Sequence, residues 1–509
     1  MKDLQIHKYW GEILLVLSVL IGLITYQNYG ASWDEPQQRA TGIVNYDYIF
    51  TESTQLHSWV DRDYGVAFEL PLIIIEKTFH PQSDREIYQM RHLISHLLFL
   101  ISAYFFYRLI FFLHKKALWA VIGFLLYTTH PVIYGHSFFN SKDLPFLSIF
   151  TITLYFLAKS FNDKRLLNFL VLGIFMGILV NIRLMGIMVP VLVVFFMVID
   201  GIIAHKILRH LSLTLCMSVM MILVLYLTWP NLWADPIVNF KQALENMSQF
   251  RFNREMMFMG SLVKPTEIPW TYIPTWMGIT TPIPYLILGL TGGVLLLKEL
   301  ITSPSILLNS RNRNNLFAGA FFLFPILAII YLHSVLYDGW RQMYFVYPPF
   351  IILAIYGLNK LKAFPFWNKI SLTIISIGIL YTLGFHIQNR YLQHTYFNAI
   401  ISSQDPDFAR KNFEVDYWGV SYKQGLEYIL MNDTAYSIKI SVANFPGYLN
   451  ESMLSTEQDD RIVIGDLNEA DYFLTEYRFH PHEYDRLDSL KFHALRTSNN
   501  TTLQIFKLK

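Results

Sequence analysis

"ILLVLSVLIGLITYQNYGASWDE" (Ile13–Glu35) is an apolar run long enough to enter a bilayer, and it ends in two adjacent carboxylates, Asp34 and Glu35. A membrane-crossing helix needs about 20 mainly apolar residues. Runs of this kind recur along the first three quarters of the chain. The 509 residues are 53% hydrophobic and 15% charged, against about 25% charged in soluble proteins. Mean hydropathy is +0.34. The runs are continuous rather than alternating, which argues against a β-barrel and for a polytopic α-helical membrane protein.

The usual hydropathy reading gives about eleven spans. Their cores are Ile13–Tyr26, His92–Phe112, Ala117–Ile133, Leu144–Leu157, Leu166–Val180, Met185–Ile203, Leu211–Leu227, Ile283–Leu297, Leu316–Tyr331, Phe345–Leu358 and Ile370–Phe385. Lysines precede the first run, but no small-residue cleavage site precedes Asp34, so the first helix is expected to be retained. The short loops "HKK" (His114–Lys116), "KSFNDKR" (Lys159–Arg165), "HKILRH" (His205–His210), "SRNRN" (Ser310–Asn314) and "NKLKAFPFWNK" (Asn359–Lys369) are basic and fall on one side. Basic loops mark the cytoplasmic face, so the N-terminus is expected there and Asp34 on the opposite face. Net charge is +2, with no sign of nucleic-acid binding, and the single cysteine, Cys216, excludes a disulfide framework or a CxxC motif.

Residues 388–509 have the composition of a soluble domain. "SYKQGLEYILMN" (Ser421–Asn432) has helical spacing. "YSIKISVANF", "RIVIGD" and "DYFLTEYRF" read as strands, and the last 18 residues as a hairpin turning near Asn499–Asn500. The expected organisation is a transmembrane module over 1–387 and an extracytoplasmic α/β domain over 388–509.

The outer side collects unusual polar residues. A carboxylate at a membrane surface is tolerated where it faces water or a polar cavity. A solvated helix end is the plain alternative for Asp34 and Glu35. "HSFFNSKDLPF" (His136–Phe146) packs His136, Asn140, Lys142 and Asp143 into a short outer turn. Lys142 either snorkels into headgroups or binds a phosphate with Asp143 orienting it. Arg183, in "VNIRLMG", stands alone between two apolar segments and either snorkels or clamps an anion. Arg341, in "YDGWRQMYFVYPPF" (Tyr337–Phe350), precedes a span in which Pro348 and Pro349 imply a kink or loosened turn, and Asp338 is a candidate partner. The tryptophan-rich loop with Trp229, Trp233, Arg251 and Arg254 reads as an interfacial belt or as a sugar-stacking lid. The pair His92 and His96 has i,i+4 spacing without the glutamate of a zinc motif. Three cations suit a phosphate at the interface, and a carboxylate suits a general base.

Three marks resemble the GT-C class of integral-membrane glycosyltransferases, which includes the protein O-mannosyltransferases and the aminoarabinose transferase acting on lipid A. They are "WDE" in the first outer loop, "HSFFNSKD" in the next outer turn, and "WRQMYFVYPP" before a late helix. The resemblance implies an inverting transfer of a sugar from a polyprenyl-phosphate donor to a protein, lipid or glycan acceptor. It implies a multi-pass protein of the bacterial plasma (inner) membrane with its active site on the periplasmic or outer face. Asp34 would be the catalytic base. Glu35, with Asp61, Asp63 and Tyr64 of "HSWVDRDYGVAFELP" (His57–Pro71), would shape the site or meet the acceptor; that stretch reads equally as an amphipathic interfacial helix. Lys142, Arg183 and Arg341 are the candidate phosphate ligands, with His136, Asn140, Asp143 and Tyr344 in support. The class includes members with and without a divalent cation, so metal dependence stays open. The tail "NFEVDYWGVSYKQGLEYI" (Asn412–Ile429) departs from the best-known members. A transporter or flippase of lipid-linked sugars is the rival reading; it expects paired broken helices and midplane polar groups. A non-catalytic receptor with the tail as its binding module is a third.

Overall fold

The computed structural model describes residues 2–248, 254–303 and 310–509; the side chains of residues 2–8, 248 and 310–313 are not described. Arg251 and the side chains of Ser310, Arg311, Asn312 and Arg313 therefore lie outside the described residues. Among the described residues, nine helices are long and apolar enough to cross a membrane, and a bent pair makes ten. With the shorter apolar helix Leu166–Ile182, these are the segments expected from hydropathy.

Helix α1 (Lys2–Thr25) leads through a short 3₁₀ turn to α2 (Glu35–Phe50), then α3 (Glu69–Phe79). The buried face of α2, which includes Gln38, Thr41, Gly42, Val44 and Asn45, is largely polar and packs on α3. Helix α4 (Asp84–His114) is 31 residues, about 46 Å long. Its first turn is capped by Ser83, whose hydroxyl accepts from the Glu86 amide at 3.3 Å. Helices α5 (Ala117–Thr128) and α6 (Pro131–Phe139) meet at 63°. Pro131 has no amide hydrogen to continue α5, so it starts a new helix there.

Helix α7 (Asp143–Asn162) is among the most buried of the spans. Helix α8 (Leu166–Ile182) packs closely on α10 (Ile207–Thr228), with α9 (Met188–Ile203) between them in sequence. Gly173 and Gly177 set that approach: a Cβ at either would lie 2.5 or 2.7 Å from the backbone oxygens of Met217 or Met221. Small residues four apart let membrane helices touch backbone to backbone. After α11 (Pro236–Ser248) come the antiparallel pair β1 (Met256–Phe258) and β2 (Ser261–Val263), α12 (Tyr272–Thr280), α13 (Ile283–Thr302) and α14 (Ser310–Leu332). Pro348 and Pro349 do not kink a span. They open α15 (Tyr347–Leu361), where the first-turn amides need no partner, and a 3₁₀ turn over Arg341–Val346 precedes them. Helix α16 (Pro365–Gln388) is the last span.

Beyond it lies a five-stranded mixed sheet of β3 (Ile438–Val442), β4 (Ile462–Ile464), β5 (Tyr472–Thr475), β6 (Lys491–Thr497) and β7 (Asn500–Lys507), in the order β4-β3-β5-β7-β6. Helix Tyr422–Asn432 covers it, burying Leu426 and Ile429 against Ile440, Leu474 and Leu503. The closing hairpin turns at Ser498–Asn499, one residue before the expected pair. Both turn residues have positive φ (49° and 64°), as a two-residue hairpin requires.

The tail docks on the first loop. Asn450 donates through Nδ2 to the carbonyls of Ala31 (2.9 Å), Gly419 (3.1 Å) and Pro446 (2.9 Å), and its Oδ1 accepts from the Ala31 amide at 2.9 Å. Lys423 Nζ donates to Gln27 O at 2.6 Å and Gln424 Nε2 to Asn28 O at 2.9 Å. Tyr29, Phe138, Phe139, Tyr417 and Trp418 form one apolar cluster joining the first loop, α6 and the tail.

Candidate active site

Asp34 and Glu35 part company at the start of α2. Successive helical residues point about 100° apart, so adjacent acids cannot face one cleft together. Glu35 turns inward and is 1% exposed. Its Oε2 accepts from the Ser32 amide at 2.7 Å, and its Oε1 lies 3.0 Å from His92 Nε2 on α4. Asp34 makes no capping bond, and its side chain is 38% exposed. Its Oδ2 lies 3.4 Å from Arg341 Nη1.

Arg341 is the centre of the cluster. Besides Asp34, its Nη1 reaches Asp143 Oδ2 at 3.1 Å and its Nη2 reaches Asp338 Oδ2 at 3.0 Å, with only 2% of the side chain exposed. Tyr337 and Trp418 also pack on it, with the guanidinium 4.8 and 4.6 Å from their ring centroids. A turn with positive φ at Asp338 (56°) and Gly339 (72°) brings Asp338 back onto Arg341. Asp143 sits in the first turn of α7, where the helix dipole favours an anion. Asn140 fixes it: the Asn140 Oδ1 accepts from the Asp143 amide at 2.8 Å, and its Nδ2 donates to Asp143 Oδ2 at 3.0 Å. Arg183, at the end of α8, pairs with the other Asp143 oxygen. Asp143 thus serves two arginines rather than orienting Lys142.

Lys142 is left without an ion pair among the described residues. Its Nζ lies 3.0 Å from the centroid of the Tyr64 ring. Burial, reinforced by the nearby Arg183 charge and opposed by Asp61, Asp34 and Asp143, brings the ammonium down to about 7. Burial likewise pushes the Tyr64 phenol well above its ordinary value.

These groups line a cleft of about 330 Å³ whose walls include Trp33, Asp34, Gln37, Asp61, Tyr64, Lys142, Tyr337 and Arg341. Asp61 accepts from Gln37 Nε2 at 2.7 Å there. A second, mainly apolar groove of about 470 Å³ shares Tyr64 and Tyr337 with the cleft. It runs between Leu184, Met185 and Met188 on one side and Ile329 and Leu332 on the other, with Arg183 in its wall.

Of the other expected residues, His136, Asn140 and Tyr344 lie buried behind the cleft. His136 Nε2 is 3.3 Å from the Tyr417 hydroxyl and 3.5 Å from that of Tyr344. Asp63 is turned away, accepting from Asn246 Nδ2 at 2.7 Å. Trp229 is fully buried in a core with Val180 and Leu225, and neither it nor Trp233 lines the cleft; Arg254 does, 4.9 Å from the Phe479 ring. His92 and His96 face different partners, Glu35 and Ser137. Among the described residues, no three His, Cys, Asp or Glu side chains are grouped to hold a metal ion.

Sequence reasoning missed Arg478, Trp418 and Phe479, all from the tail and all in the cleft wall. Arg478 Nη2 donates to Asp338 Oδ1 at 2.7 Å. The arginine lies in a stretch read simply as a strand, and no local pattern sets it apart. Nearby Glu414 is buried; burial first, and the Asp338 charge next, raise its carboxyl to about 8.

Residues 87–229 match the family model described as dolichyl-phosphate-mannose-protein mannosyltransferase. No curated protein matches the chain. Among solved structures, the fold is similar to that of ArnT from Cupriavidus metallidurans in the apo state. The identity is 14% and the TM-score 0.50, over 97% of each chain. The same protein bound to undecaprenyl phosphate aligns at 12% identity and TM-score 0.49, over 97% of this chain and 98% of that one. The apo oligosaccharyltransferase of Archaeoglobus fulgidus aligns at 11% identity and TM-score 0.49, over 91% of this chain; the alignment spans only 65% of that longer protein. The GT-C-like membrane fold with a small C-terminal sheet domain, expected from the motifs, is the fold of the chain.

Proposed function

We propose that the chain is an inverting glycosyltransferase, moving a sugar from a polyprenyl-phosphate donor to an acceptor hydroxyl or amine outside a bacterial plasma membrane. The observation that carries this reading is the meeting, in one cleft, of a solvent-facing carboxylate and cations beside an apolar groove. The match of residues 87–229 to a family named for a polyprenyl-phosphate donor supports it.

The isoprenoid lies in the apolar groove, where Leu184, Met188, Ile329 and Leu332 give it an oily wall. Its phosphate lies at the junction of groove and cleft, near Lys142, Arg183 and Arg341. Asp34 accepts the proton of the acceptor as the acceptor oxygen or nitrogen bonds to the anomeric carbon. The bond from that carbon to the phosphate oxygen breaks, and the phosphate leaves with the electron pair. The negative charge gained by the leaving phosphate is stabilised by the cations. His136, Asn140 and Tyr344 hold the frame; Glu35 and Asp63 act on the packing of the first loop. Residues 1–387 are the transferase module and 388–509 an outer domain, with the basic loops and the N-terminus on the cytoplasmic side.

The test is to incubate the purified full-length protein with a panel of polyprenyl-phosphate sugars and follow release of the lipid phosphate. Release with at least one donor, abolished in Asp34→Asn, is expected. Transport of the intact lipid-linked sugar without release would overturn the reading.

A further inference from the structure

Arg341 is held by three carboxylates, and one of them is itself held from outside the membrane module. Asp338 Oδ2 takes Arg341 at 3.0 Å; its other oxygen, Oδ1, takes Arg478 at 2.7 Å. Arg478 follows strand β5, 140 residues further along the chain. Its side chain is 6% exposed, and its other anchor is the carbonyl oxygen of Tyr417. The guanidinium lies 5.2 Å from the centroid of Trp33, the residue before Asp34, and 5.1 Å from that of Phe479.

We propose that Arg478 of the C-terminal domain is a positioning residue for Arg341, acting through Asp338, so that the cleft is complete only with that domain docked. This rests on the reading of the cleft as the donor-phosphate site. Asp338 sits in a turn with two successive positive-φ residues, a conformation that needs its contacts to persist. With Arg478 bound, one carboxylate oxygen is committed and the other is aimed at Arg341. Without it, Asp338 is free to rotate and to draw Arg341 away from Asp34 and Asp143. Glu414 and Glu476 are the other buried acids whose charges act on Arg478, and burial raises both carboxyls, which weakens their hold on the arginine relative to Asp338. The Trp33 contact gives Arg478 a second line to the site, since Trp33 precedes the proposed base.

The test uses the full-length protein in detergent and undecaprenyl phosphate as the probe, with variants Arg478→Met, Arg478→Lys, Asp338→Asn and the double variant Arg478→Met/Asp338→Asn. Arg461→Met is the control for the tail's stability, because Arg461 donates to the carbonyls of Asp433 and Ala435, away from the cleft. Arg478→Met should weaken binding of the probe about tenfold, and Arg478→Lys should recover most of it. In the Asp338→Asn background the added Arg478→Met should have almost no effect. Arg461→Met should leave affinity unchanged even where it lowers the tail's melting temperature. Amide exchange over residues 333–346 should rise in Arg478→Met and not in Arg461→Met. Wild-type affinity and exchange in Arg478→Met would overturn the proposal, as would a tenfold loss that persists without Asp338. If the wild type fails to bind the probe, the donor-site reading falls, and the exchange comparison alone decides whether Arg478 positions the turn.

Discussion

Asp34→Asn separates catalysis from architecture. Three carboxylates surround Arg341 at 3.4, 3.1 and 3.0 Å, and Asp34 makes the longest of these pairs. Its side chain is 38% exposed, whereas those of Asp143 and Asp338 are 1% and 5% exposed. Neutralising it leaves the buried guanidinium with its two shorter partners. The Asp34 end of this pair faces solvent and Arg341 keeps two closer carboxylates, so the folded protein should lose about 1 kcal/mol. A general base contributes about 10²–10⁴-fold to a rate, or about 3–5 kcal/mol in the barrier. Removing a negative charge beside the phosphate site should leave undecaprenyl-phosphate affinity unchanged or slightly higher. The assay is single-turnover release of lipid phosphate, run beside thermal unfolding and probe binding on the same preparation. Turnover should drop at least about a hundredfold while melting temperature and affinity hold. Turnover above about a tenth of wild type would refute the assignment of the base, and so would a loss of activity that tracks a loss of fold.

Other consequences follow from neighbouring residues. The Lys142 ammonium, brought down to about 7 mainly by burial, loses its charge as pH rises through neutrality. Affinity for undecaprenyl phosphate should therefore fall between pH 6 and 8.5 in the wild type relative to Lys142→Arg, which stays charged; titration calorimetry across that range checks it. Arg341→Met removes the partner of three carboxylates, two of which keep Arg183 and Arg478. The carboxylate left without a cation, Asp34, faces solvent, so stability should drop by no more than about 2 kcal/mol in thermal or denaturant unfolding while probe binding is lost. Asn450→Ala removes two hydrogen bonds between the tail and Ala31 of the first loop, and two more within the tail. It should weaken docking by about 1–3 kcal/mol, seen as faster proteolysis beyond residue 388 and lower turnover.

The sequence by itself determined the membrane class, the succession of spans and the hairpin at the chain's end. Hydropathy and loop charge are local properties, and the bilayer converts each into a position without reference to the rest of the chain. It also singled out Asp34, Lys142, Arg183 and Arg341. Only the tertiary structure decided which of two adjacent acids faces the cleft, because that depends on where α4 places His92 to receive Glu35. It decided that Asp143 serves two arginines and leaves Lys142 against Tyr64. It brought Arg478 to Asp338, and Arg341 to an aspartate 307 residues away. A buried ion pair forms where packing brings opposite charges together out of water, and no property of the residues beside Arg478 encodes a partner on another unit of the fold.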